Sequence, residues 1–324
     1  MTTNNAQPLL ILSDGKPGHV NQSIAFARHL GRDYIVQRVA FKTRAAKAFS
    51  YLADRCGLLR EQLFQTDKIT GEYSAIVSAG SETYYANRVL ARKLGLKSVA
   101  IMLPQGYRLD FDLIVAQQHD DPPQLSNIVS LPINLSFVEP QGLVVAEPGC
   151  RYVSIIIGGN SKQGDLDPET IRQQLTEIFR LFPDHRFWLT TSRRTPEVIE
   201  AVLKSFNFER AVFYSEEQIN PIPDFLQHSE YVFLTADSTS MLSEAVSFGS
   251  SCVEVLSLEH ADRNSKFFRF IQGLVAQDSA HIFNGQVGSA RVKIDLAAAL
   301  HQAESLLLVG ATSANQLNTG QVGS

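Results

Sequence analysis

Apolar residues along this chain come in short unbroken runs, separated by stretches that repeat with helical period. Residues 9–12 form the first run and end at Ser13-Asp14-Gly15; a helix is predicted over 19–30. Residues 34–40 alternate as a second strand, and 44–64 carry Phe49, Leu52, Cys56, Leu59 and Leu63 at helical spacing. Runs at 75–78, 98–102 and 113–116 read as further buried strands, with a helix over 82–94 between the first two. Two prolines and two glycines interrupt the pattern at 138–150, which reads as a linker. The alternation then restarts. Strands are predicted at 152–157, 186–190, 211–213, 231–234 and 252–255, and helices at 168–181, 196–206, 223–228, 239–248, 264–276 and 291–309. Short apolar runs alternating with amphipathic helices imply parallel α/β layers. The expected architecture is two similar α/β halves, 1–140 and 150–310, facing a cleft, with a disordered polar tail at 311–324.

Composition narrows the class. The 324 residues are 44% hydrophobic, enough for two cores, and 19% charged with a net charge of −4. That balance argues against nucleic acid as a partner, which favours a strongly basic surface. Cys56, Cys150 and Cys252 stand alone and read as buried, reduced thiols; no zinc site or disulfide framework is implied. The first residues lack the apolar core of a signal peptide, and no run approaches the ~18 apolar residues of a membrane span. A cytoplasmic protein is expected, soluble or peripheral to a membrane. Arg44, Lys47, Arg55 and Arg60 accompany Phe49, Tyr51, Leu52 and Leu59. That segment reads either as a helix for an anionic membrane surface or as a packed helix with a solvated basic face.

In open parallel sheets ligands bind beyond the carboxyl ends of strands, so the loops there carry the candidate chemistry. The loop after the first strand holds Asp14, Gly15, Lys16, Gly18, His19 and Gln22, a carboxylate, an ammonium and an imidazole around tight turns. Its spacing fits neither a dinucleotide fingerprint nor a P-loop. Gly80, Ser81 and Glu82 follow a second strand, where Ser81 could also cap a helix. In the second half, Gly158-Gly159-Asn160 offers backbone N–H groups to an anion. Arg193-Arg194 beside hydroxyls suits a phosphate clamp, the alternative being solvated arginines before a helix capped by Thr195. Asp237, Ser238, Thr239 and Ser240 stand where a buried strand turns into a helix, whose first turn favours phosphate. Glu244 lies one turn beyond Ser240 on the same face, in reach of a ribose diol. The alternative is an ordinary cap by Asp237 or Ser238. Asp165-Leu166-Asp167 has the form of a cation-binding pair, but Pro168 and Glu169 make Asp167 a helix cap, so no metal site is proposed.

These motifs, S-D-G-x-x-G-x-x-N-Q at 13–22, S-A-G-S-x-T at 78–83, F-D-L-I-V-A-x-Q-H-D at 111–120, L-T-T-S-R-R-T-P at 189–196 and D-S-x-S-M-x-S-E-A at 237–245, occur in order. Together they resemble the mitochondrial-fission (elongated mitochondria) family, whose bacterial members are described as glycosyltransferases of the lipopolysaccharide outer core. The resemblance implies the GT-B architecture, two Rossmann-like domains facing a cleft. It also implies a sugar moved from a nucleotide-sugar donor to a glycan or lipid-linked acceptor on the cytoplasmic face of the inner membrane.

The expected reaction is inverting and metal-independent, with the nucleotide sugar as substrate and no cofactor. Asp14 is the expected base and His19 the alternative, with Lys16 beside them. Gly15, Gly18, Gln22, Gly80, Ser81 and Glu82 would line the acceptor side. Gly158, Gly159, Asn160, Arg193, Arg194, Asp237, Ser238, Thr239, Ser240 and Glu244 would hold the donor. A nucleotide-sugar epimerase of the same fold, or a non-catalytic adaptor at a membrane surface, are the competing readings.

Overall fold

The computed structural model describes residues 7–161, 164–258 and 265–309. The expected tail at 311–324 and the first residue of the helix predicted at 264–276 lie outside them. The chain divides into two compact units. One runs to Phe137 and resumes at Leu296; the other is Val138–Asp295.

The first unit is built on strands β1 (Leu9–Ser13), β2 (Tyr34–Phe41), β3 (Phe64–Thr66), β4 (Ala75–Ala79), β5 (Lys97–Ile101), β6 (Leu113–Gln117) and β7 (Ile128–Leu131), in sheet order β3-β2-β1-β4-β5-β6-β7. Every pair is parallel except β2 with β3. Helices α1 (Pro17–His29), α2 (Arg44–Arg55) and α3 (Tyr84–Leu94) connect them. β1, β4 and β6 are buried along their whole length. A strand covered on both faces has no solvent side to alternate toward, which is why these segments read as unbroken apolar runs.

The second unit holds β8 (Tyr152–Ile157), β9 (Arg186–Thr191), β10 (Arg210–Val212), β11 (Tyr231–Thr235), β12 (Cys252–Leu256) and β13 (His281–Ile282), all parallel, in order β10-β9-β8-β11-β12-β13. Its helices are α4 (Pro168–Leu181), α5 (Glu197–Leu203), α6 (Ile222–His228), α7 (Thr239–Ser247) and α8 (Lys266–Ala276). Asp167 accepts a hydrogen bond from the Thr170 N–H with Pro168 at the first helical position, so it caps α4. Both units are Rossmann-like.

The last helix, the linker and the thiols differ from the sequence expectation. The final helix, α9 (Ala297–Val309), starts later than residue 291 and packs on β6 and β7 of the first unit, although it follows the second in sequence. Leu296, Leu300 and Ala303 are the buried residues that hold it there. Residues 141–144 of the expected linker are fastened to the second unit, where the buried Asp224 carboxylate accepts from the N–H groups of Gln141, Gly142, Leu143 and Val144. Burial opposes its ionisation, but those four donors outweigh it and hold its carboxyl below the usual range. The thiols also differ: Cys252 is buried, whereas Cys56 is exposed and Cys150 half-buried.

Candidate functional site

Each sheet has one point where the strand order reverses away from its first strand. In the first unit this lies between β1 and β4, in the second between β8 and β11. Connections on either side of such a point leave in opposite directions, opening a crevice at the carboxyl ends of the strands. The predicted polar residues gather at these two points, and each point is organised around a buried carboxylate.

At the first, Asp14 follows β1 directly and its side chain is only 2% exposed. It accepts from the Lys16 N–H at 3.0 Å and lies 2.8 Å from His19 Nδ1. A carboxylate can only accept, so Nδ1 carries the proton and Nε2 is left with its lone pair. Lys16 Nζ is 3.5 Å from the same carboxylate, on an exposed side chain. Pro17 opens α1 and places His19 in its first turn. The His19 ring then lies over Gly80, just past β4. Gly80 has φ +88°, and a Cβ there would fall 2.3 Å from Nδ1. Glycine at 80 is therefore what admits the imidazole, for both backbone conformation and space. His19 remains 24% exposed. Asp14, expected as the base, is instead the shielded partner of the more accessible His19.

The other acceptor-side candidates have different duties. Gln22 is buried, donating to the Gly18 carbonyl and accepting from Gln117 at the end of β6, so it ties α1 to the sheet. Glu82 is ion-paired with Lys47 of α2. Ser81 does not cap α3: Thr83 occupies the cap position, its hydroxyl bonded to the Ala79 and Gly80 carbonyls. The Ser81 carbonyl accepts from Tyr107 Oη at 3.1 Å. Gly15, at φ +82°, makes the turn after β1. Gly18 has open space around its Cα.

At the second point the buried carboxylate is Asp237, after β11. Its side chain is fully enclosed and accepts from Thr235 Oγ1 at 2.6 Å, the Gly159 N–H at 3.1 Å and Arg194 Nη2 at 2.6 Å. Burial pushes its carboxyl up, against the hydrogen bonds from Thr235 and Gly159 and the charge of Arg194. Asp237 is thus saturated from within and has no face for a substrate, contrary to the expectation that it would bind the donor. The Gly158-Gly159 pair serves the same packing. A Cβ on Gly158 would meet the Asp237 carboxylate at 2.0 Å, and one on Gly159 the Arg194 carbonyl at 2.1 Å. Their N–H groups are taken by Thr235 and Asp237. The anion these glycines cradle is Asp237 itself.

Arg194 comes out of this arrangement fixed but accessible. Nη1 donates to the Asn160 carbonyl at 3.2 Å, and the side chain is 42% exposed. Two of five guanidinium donors are used, leaving the rest for an external anion. Arg193 is exposed. Thr195 does not cap α5; its hydroxyl donates to the Gly158 carbonyl and accepts from the Ser192 N–H. Asn160 Oδ1 accepts from the Leu166 N–H. Ser238 is the cap of α7, accepting from the Met241 N–H at 3.4 Å. Thr239 and Ser240 are half-buried in its first turn. On the next turn Glu244 is largely enclosed, and burial pushes its carboxyl up to about 7. No side-chain hydrogen bond or ion pair to it is present among the described residues.

Thr235 escaped the sequence reading, and Thr195 entered it only as a candidate helix cap. Thr235 ends β11 and Thr195 lies in the loop after β9, but nothing in a threonine's identity says that its hydroxyl will face a neighbouring loop. Among the described residues no group of three or more His, Cys, Asp or Glu side chains is placed to hold a metal ion.

Solved structures share this fold at low identity. The glycotransferase of kitacinnamycin superposes with a TM-score of 0.51 at 12% identity, covering 96% of this chain and 98% of that one. UGT89C1 of Arabidopsis thaliana, complexed with UDP-L-rhamnose, gives 0.50 at 12% identity over 98% and 96%. A Listeria monocytogenes protein described as a UDP-N-acetylglucosamine 2-epimerase gives 0.50 at 10% over 96% and 97%. The architecture is therefore of GT-B type. In sequence, the uncharacterized protein RP120 of Rickettsia prowazekii (strain Madrid E) is 24% identical over 86% of this chain and 90% of its own length. The family described as Mitochondrial fission ELM1 matches residues 17–308, a span that takes in the second strand-end site together with His19 and Gly80 of the first, and the chain belongs to that family.

Proposed function

We propose that this protein is a glycosyltransferase that moves a sugar from a nucleotide-sugar donor to a hydroxyl of a glycan or lipid-linked acceptor, with inversion and without a metal ion. One observation carries the reading: the Asp14–His19 pair seated over Gly80 at the reversal point of the first sheet. Sugar transfer needs a base at the acceptor hydroxyl, and an imidazole whose Nδ1–H is held by a buried carboxylate presents Nε2 for that purpose. His19 therefore takes the proton, and Asp14 orients the ring and stabilises the imidazolium that forms. As the sugar bond breaks, negative charge develops on the departing nucleotide phosphate. Arg194, locked by Asp237 and Asn160, is the fixed cation for that charge, with Arg193 and the first turn of α7 at Ser238, Thr239 and Ser240 beside it. Glu244 accepts from the ribose hydroxyls. The similar folds include proteins named for UDP-sugars, which supports a nucleotide-sugar donor.

The test is a thermal-shift panel of nucleoside diphosphates and nucleotide sugars, followed by product analysis with the best donor. A stabilising donor should be consumed only when an acceptor extract is added, and His19→Ala should stop transfer while leaving the shift intact. Formation of an epimer of the donor without acceptor would replace this reading with the epimerase. No shift from any nucleotide would remove the donor site.

A further inference from the structure

Helix α2 is turned inside out. Its buried residues are Ser50, Ala53 and Asp54, whereas Phe49 and Leu52 are 47% and 58% exposed. With Ala45, Ala48 and Cys56, also exposed, they form one stripe at helical spacing, continued past the helix end by exposed Leu58. The inward face is held by polar contacts. Asp54 is ion-paired with buried Arg88 and accepts from the Arg108 N–H, and Ser50 is bonded to Tyr107. A helix that fixes its polar residues inside and presents its large apolar ones outside has its hydrophobic face still to bury.

Charge says what covers it. Between residues 42 and 60 there are five cations, Lys42, Arg44, Lys47, Arg55 and Arg60, against the single carboxylate of Asp54, which is buried and already neutralised by Arg88. Lys42, Arg44, Arg55 and Arg60 are exposed beside the apolar stripe. We infer that the outer face of α2, through Arg60, docks on the surface of an anionic lipid bilayer, with Phe49 and Leu52 entering the headgroup region and the arginines meeting lipid phosphates. The apolar side chains supply buried area and the cations supply attraction that salt screens.

The docked helix is stapled to the His19 loop. Lys47 pairs with Glu82, Tyr51 stacks on Tyr107 with ring centroids 4.5 Å apart, and Tyr107 Oη donates to the Ser81 carbonyl. Gly80, under the His19 ring, is the next residue. A bilayer held by α2 therefore presents its headgroups beside the proposed base, which makes a lipid-linked molecule the acceptor. That last step rests on the proposed transferase; the docking does not.

Flotation tests the docking without any donor or transfer assay. The full chain is mixed with vesicles of phosphatidylcholine alone or of phosphatidylglycerol and phosphatidylcholine in equal parts, at low and high salt. The wild type should float with the anionic vesicles, at least about tenfold more than with the neutral ones, and should lose that preference at high salt. The double variant Phe49→Ser with Leu52→Ser, and separately Arg44→Glu with Arg55→Glu, should each lose about tenfold, while Val198→Ser, on an exposed site of α5, should not. All four substituted side chains in the two double variants are exposed, so their melting temperatures should match the wild type. Absence of anionic-vesicle binding, or equal flotation by the wild type and the serine variant, overturns the inference. So does a concentration-dependent dimer in sedimentation that the serine variant abolishes, since the face would then belong to a second copy.

Discussion

The strand-end sites of the two units share one construction and differ in the side chain that each one holds at the surface. Each has a buried carboxylate just past a strand, Asp14 after β1 and Asp237 after β11. Each carboxylate holds a nitrogen-bearing side chain at the surface, His19 or Arg194, and each needs glycine in the adjoining loop, Gly80 or the Gly158-Gly159 pair. Imidazole can take up and release a proton near neutral pH; guanidinium cannot. Under the proposed function, the same construction would supply a proton acceptor in the first unit and a permanent cation in the second.

Removing the two nitrogen groups should separate these roles most sharply. His19→Ala should lower transfer by ~10²–10⁴-fold with little effect on nucleotide binding. Arg194→Ala should lower it by ~10²–10³-fold and also weaken the nucleotide-induced thermal shift. If both variants lost binding equally, the division of labour would be wrong.

The carboxylates beneath them should differ in stability cost. Asp237→Ala leaves Thr235 Oγ1, the Gly159 N–H and one arm of Arg194 without their acceptor, and should cost about 1–3 kcal/mol in denaturant unfolding. Asp14→Ala removes a carboxylate with fewer protein donors and should cost less in stability but more in rate. Comparable stability losses would mean that the first carboxylate is structural too.

Gly80→Ala probes the space under the imidazole. Its positive φ and the close His19 ring predict a loss of about 1–2 kcal/mol with activity falling toward that of His19→Ala. Retained activity would show that the ring position does not matter.

The smallest effect concerns Glu244. Its folded carboxyl is raised to about 7 from 4.5, so the folded state binds its proton more tightly than the unfolded chain. Stability should therefore fall as pH rises from about 4.5 to 7 and level off above. Glu244→Gln should remove that slope when denaturant unfolding is followed across the same pH range. The same titration should strengthen wild-type nucleotide binding between pH 6 and 8, since under the proposed function the ionised carboxylate would accept from the ribose hydroxyls. A flat pH dependence would place Glu244 away from the ribose.

Edge elements were the least legible parts of the fold. β3 and β13 are three and two residues long and carry no run that marks a strand by itself; they exist because a neighbour offers an unpaired edge. α2 was visible as a helix from its spacing, but Phe49, Leu52 and Cys56 lie on its outer face, and a periodic stripe cannot say which side of a helix meets the core. Pairing of Glu82 with Lys47 and of Gln22 with Gln117 was equally hidden, because the partners are 35 and 95 residues apart.

What the sequence determined by itself was the order of the elements and the identity of the loops that matter. Buried parallel strands must be apolar throughout, and polar clusters can survive only where those strands end, so Asp14, His19, Arg194 and Asp237 stand out in the sequence itself. The tertiary structure alone decided which of them are enclosed. Asp14 and Asp237 look as available as His19 and Arg194 in one dimension, yet both side chains are enclosed in the folded chain, Asp237 against the Gly158-Gly159 loop from another part of the sequence. The physical reason is that desolvation depends on what packs against a group in space, and a carboxylate removed from water keeps its place by fixing its donors rather than by reaching for a ligand.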